Sequence, residues 1–173
     1  NNDGVITADE MPFVAGLDAR IRVAEGPVEV DVTGDVDGDG KRFWDFSRPD
    51  PATEPVARIR GFEPGGFWFD DNFDDANFVG PLDPSAGLLG AFNVTDDGVY
   101  MLGAASADED PAEGQTLLVY ETPVALYPFP LQLGSSAQTV ARASNASLLG
   151  LPVALEDDYE VEVTDVGTLV LPD

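Results

Sequence analysis

Asp35, Asp37 and Asp39 stand at alternate positions before Gly40, in a chain that has neither histidine nor cysteine. Hard oxygens at that spacing, with a glycine for the tight turn, match the first half of an EF-hand-type calcium loop. The second half departs from the pattern. Its twelfth position, which calls for a bidentate Glu, falls on Phe46, with Asp45 one place early. The same residues also read as an acidic hairpin turn, since Asp and Gly favour turns for backbone reasons alone. A second fragment, residues 1–10, follows positions three to twelve of such a loop, with Gly4 at six, Ile6 at eight and Glu10 at twelve. Its first ligand would precede Asn1. The segment therefore reads as a truncated calcium loop or simply as a polar lead-in over residues 1–12.

Aromatic and acidic residues mix most densely at 67–78. Phe67, Trp68 and Phe69 lead into Asp70, Asp71, Asp74 and Asp75, with Phe73 and Phe78 beyond. As a ligand-binding surface, Phe67, Trp68 and Phe69 would form a platform for sugars or cations. The four aspartates would make a second Ca²⁺ site. Against both stands the tendency of large aromatics to bury, which would have this loop plug a core while its acids stay solvated. Arg20 with Arg22, and Arg58 with Arg60, are alternate residues on strand-like segments, so each pair projects from one face. They could clamp an anion, but the surplus of carboxylates makes ion pairing the simpler expectation.

The missing residue types exclude whole chemistries. Without Cys or His there is no thiolate nucleophile, disulfide, imidazole base, Ser-His-Asp triad or ordinary zinc site. A carboxylate-based hydrolase has only the abundance of acids behind it, and among so many acids some pair meets the required separation by chance. A catalytic role is not expected.

The elements that must position these residues are strands. Residues 19–23 and 28–32 alternate, and Glu25-Gly26-Pro27 between them predicts a hairpin. The acidic loop 34–40 leads to a strand at 42–46, and three prolines make 48–55 an irregular connection. Further strands are expected at 56–60, 88–94, 99–104, 116–127, 139–149, 159–163 and 167–171. Asp96-Asp97-Gly98 provides a hairpin turn. Leu117-Leu118-Val119-Tyr120 is apolar on both faces and belongs inside a sheet. No sustained helical period appears. The expected fold is all-β, a mostly antiparallel sandwich or curled, partly closed sheet with short helices at most, forming one domain over residues 13–173.

Thirty-three Asp and Glu against eight Lys and Arg give a net charge of −25. That field disfavours nucleic acid and favours cations or a basic surface partner, but general solubility or salt adaptation is the simpler expectation. No apolar run is long enough for a transmembrane helix.

Three segments carry a resemblance. Arg42-Phe43-Trp44-Asp45-Phe46-Ser47, then Tyr127-Pro128-Phe129-Pro130-Leu131-Gln132-Leu133-Gly134, then Gly167-Thr168-Leu169-Val170-Leu171-Pro172 occur in an order that resembles a group of secreted and lipoprotein-type bacterial β domains. In that group the last strand is usually followed by more chain, so a piece trimmed at its C-terminus is expected here. The resemblance implies an all-β, extracytoplasmic domain and no activity. The expectation that follows is a non-catalytic binding module for a lipid or other apolar ligand. The alternative is a Ca²⁺-stabilised cell-surface, adhesion or structural domain.

Overall fold

The computed structural model describes residues 3–11, 13–24, 27, 29, 31–48 and 53–171, with the side chains of 20–24 and 53–59 left aside. Eleven strands and two single 3₁₀ turns make up its regular structure. The strands are β1 (Asp18–Ala24), β2 (Asp35–Val36), β3 (Arg42–Asp45), β4 (Thr53–Arg60), β5 (Phe78–Pro81) and β6 (Leu88–Thr95), then β7 (Gly98–Ser106), β8 (Leu117–Pro128), β9 (Ser136–Leu148), β10 (Leu151–Glu162) and β11 (Gly167–Val170). The fold is all-β and mostly antiparallel, as the alternating segments predict.

Strands β5 to β10 form one six-stranded sheet in which each strand lies beside its sequence neighbour. Short turns suffice for such a meander, and Asp96-Asp97 closes the β6–β7 hairpin with Thr95 opposite Gly98. The doubly apolar start of β8 lies inside this sheet, between β7 and β9. Two satellites complete the molecule: the β1–β4 pair, and a three-stranded sheet in the order β11-β3-β2. Only β11 and β3 pair in parallel among the named strands.

The core sits on the β5–β7 end of the large sheet. Directly paired residues share a face, so Val79 with Ala91, and Leu89 with Ala105, point the same way. Onto them pack Phe69 and Phe73 from the loop after β4, with Leu102 completing the cluster. Phe69 is 1% exposed. Phe78 and Phe92 meet on the other face, where Phe13 sits edge-on to Phe78 at 5.6 Å and reaches Tyr127 at 6.0 Å. Both faces of this end are thus covered by aromatics.

At the opposite end, Tyr120 of β8 and Tyr159 of β10 reach across β9, their hydroxyls 3.1 Å apart. Tyr159 pairs with Thr139 and shares its face, where the small Ala141 and Ala143 leave room for the rings. Burial, and then the hydrogen bond with Tyr159, push the Tyr120 phenol well above its ordinary value.

The local order differs from expectation at several points, among them the unforeseen strands β2 and β5. β1, expected in a hairpin with residues 28–32, pairs with β4. Of that expected strand, residues 29, 31 and 32 lie outside any strand, while Val28, Val30 and the turn residues Glu25 and Gly26 fall outside the described residues. Long-range pairing won over the local hairpin because β4 offers eight strand residues, and its start at Thr53 takes in Pro55, placed in the expected irregular stretch. A proline is tolerated there because β4 is an edge strand with one ladder partner. Pro49, Asp50 and Pro51 lie outside the described residues. Finally, β10 starts at Leu151, eight residues before the expected strand, its Pro152 again on an edge.

Candidate functional site

Asp35 and Val36 pair with Phe43 and Arg42, which makes the acidic loop a tight hairpin. Asp37 stabilises its turn: Oδ1 accepts from Asp39 N at 2.9 Å and from Lys41 N at 2.8 Å. Asp35, Asp37 and Asp39 are all exposed, and they are not gathered round a common point. Glu10 in the N-terminal segment likewise serves its own turn, its Oε2 accepting from Thr7 N and Thr7 Oγ1, both at 3.1 Å. Asn1 and Asn2 of that fragment lie outside the described residues.

In the 67–78 segment the aromatics turn inward. Phe69 is buried, Phe67 stacks on it with centroids 5.0 Å apart, and Trp68 donates its indole N–H to Ser106 O at 2.8 Å. Asp70 opens the 3₁₀ turn Asp70–Asn72 and accepts from Phe67 N at 2.8 Å. Asp71, Asp74 and Asp75 are exposed. Among the described residues no group of three or more acids is assembled to hold a metal ion. Phe69 therefore belongs to the core, with Phe67 and Trp68 half-buried against it. Of the paired arginines only the Arg60 side chain is described. It donates to Gly16 O at 3.3 Å and forms an ion pair with Asp18 at 3.5 Å.

A concavity lies elsewhere, over the three-stranded sheet. Alternation places Trp44 and Phe46 of the β3 segment on one side, and the parallel register sets Leu169 beside Trp44 and Gly167 beside Arg42. Gly167 is required by the close approach of the two strands, because a Cβ there would lie 2.3 Å from Arg42 O. The indole of Trp44 is anchored by donating to Val32 O at 3.1 Å. Gly34 turns the chain at φ +65° directly against that indole, where a Cβ would sit 2.6 Å from Nε1.

A second wall comes from the N-terminal segment. Ile6 and Leu131 exchange backbone hydrogen bonds of 2.9 and 2.8 Å, which pins Val5, Ile6 and Met11 across from β3. The link after β10 adds Val163, held by reciprocal 2.8 Å bonds with residues 134 and 135, and Val166. The resulting groove has a volume of about 890 Å³. Its lining is mainly apolar, yet Val32 is 79% and Leu169 54% exposed. Asp3, Glu10, Lys41 and Asp165 complete it.

Individual positions in this groove were not foreseeable, because they come from five separated stretches of chain. Trp44 and Phe46, Leu131, and Gly167 to Leu169, from three segments far apart in the sequence, all line it. No family model, no curated protein and no solved structure matches this chain.

Proposed function

We propose that this protein is a non-catalytic extracytoplasmic binding module that holds a lipid tail or other small apolar molecule in the groove over β3 and β11. The observation that carries the reading is the groove itself, apolar, open and about 890 Å³. That volume lies within the roughly 300–1,000 Å³ of small-molecule sites, and exposed apolar surface rimmed by charge is a recurring mark of binding. A Val at 79% exposure loses free energy to water that an apolar guest would return. The resemblance to secreted and lipoprotein-type domains supports the location. The charged lining consists of exposed surface groups, and the chain has no imidazole or thiol, which supports a non-catalytic reading.

Titration with N-phenyl-1-naphthylamine, a neutral apolar fluorophore, tests this. The expected result is a saturable fluorescence rise with one site per chain. Replacing Val166 and Leu169 with Asn should weaken that binding about tenfold or more, given the ~1.4 kcal/mol that each decade represents and the apolar area lost. A rise that does not saturate, or one that the double variant leaves untouched, would remove the groove as a binding site.

A further inference from the structure

The mouth of the groove carries a charge pattern that selects among apolar ligands. Asp3, Glu10 and Asp165 contribute carboxylates, Lys41 one ammonium, and all four residues are exposed. Arg42 adds a second cation but is committed to Asp165, with Nε to Oδ1 at 2.9 Å. Asp3 and Glu10 also hold backbone N–H groups, Val5 N at 3.0 Å and Thr7 N at 3.1 Å, so their carboxylates are fixed at this edge. Beyond the mouth lies the field of a chain with net charge −25. A fatty acid or a phosphate-bearing lipid would place a further anion there.

We infer that the ligand of this groove is a cationic amphiphile, an apolar tail ending in a quaternary or protonated amine, an assignment that rests on the groove being an apolar binding site. The tail lies along Trp44, Phe46 and Leu169, and the cation sits at the edge held by Asp3 and Glu10. Charge sets the order of preference among tails of equal length, because the apolar contribution is common to all of them.

The test is calorimetric titration of the full chain with decyltrimethylammonium, decanol and decanoate, each below its aggregation limit. At about 20 mM salt, where the Debye length is roughly 20 Å, the cation should bind about tenfold or more tighter than decanoate, with decanol between. At about 1 M salt that spread should shrink to within a few-fold. The double variant Asp3→Asn with Glu10→Gln keeps an acceptor for Val5 N and Thr7 N. It should narrow the spread between the cation and decanoate. Equal affinity for all three probes, or tighter decanoate, would overturn the charge assignment and leave the groove standing. Absence of decanol and cation binding alike would overturn the groove and, with it, the assignment. Cation binding that survives Leu169→Asn and Val166→Asn undiminished would be adsorption to the acidic surface, and would also overturn it.

Discussion

The β5–β7 end of the large sheet and the β3–β11 face solve the same problem in opposite ways. Each presents aromatic and aliphatic side chains on one side of a short sheet. At β5–β7 the loop carrying Phe67, Trp68, Phe69 and Phe73 folds back and closes that side, leaving Phe69 1% exposed. At β3–β11 the N-terminal segment stands off as a wall, and the space between stays open with Leu169 54% exposed. Large apolar residues on a strand thus define a surface but not its partner. What distinguishes the filled end from the open groove is whether the chain itself supplies the cover.

The comparison breaks most visibly at Phe69. Truncation to Ala leaves a cavity under the loop and should cost about 3–5 kcal/mol, the range for large buried side chains. Chemical denaturation reads this directly; a loss below about 1 kcal/mol would mean the loop is not core. A smaller effect is expected at Asp83, which organises the turn between β5 and β6. Its carboxylate accepts from Ser85 N at 2.8 Å and Leu88 N at 2.6 Å. Partial burial raises its pKa, but the hydrogen bonds from Ser85, Leu88 and Gly87 outweigh that and hold it below the usual carboxylate value. Asp83→Ala should cost about 1 kcal/mol at pH 7. Because the folded pKa is lowered, this contribution is complete above the unfolded carboxylate value and is lost as pH falls through the folded one. Wild type and variant should therefore converge in melting temperature below about pH 4. A constant gap down to pH 2 would assign the effect to the backbone turn instead.

The smallest effect sharpens the contrast. Leu169→Ala, in the open face, should change stability by no more than about 0.5 kcal/mol, as surface substitutions do, while the same change weakens apolar probe binding. A cost near that of Phe69→Ala would show Leu169 to be core after all.

Much of the meander was legible in the chain. Alternation and the Asp96-Asp97 turn located β6 and β7, and the doubly apolar run at 117–120 announced an interior strand. Local signals failed where partners are distant. The Val28–Val32 alternation is as regular as that of β1, yet β1 took β4, a choice settled by pairing about 35 residues away. The alternation of β10 through Val153, Leu155, Tyr159 and Val161 is interrupted at Asp157 and preceded by Pro152, so only its second half read as a strand; as an edge it is exposed along most of its length. At the candidate site, spacing singled out carboxylates, and the structure spends Asp37 and Asp70 on their own turns. The groove residues carried no chemical signature, since Ile6, Trp44, Leu131 and Leu169 become one surface only after the sheets assemble.

The claim that one face is filled and the other built to be filled by a guest is tested most directly by amide and methyl chemical shifts during titration with decanol. Shifts should concentrate at Ile6, Trp44, Leu131, Val166 and Leu169, saturate together, and leave Phe69, Phe73 and Leu102 unmoved. Saturating shifts centred on the 67–76 loop, with the β3–β11 face silent, would contradict it.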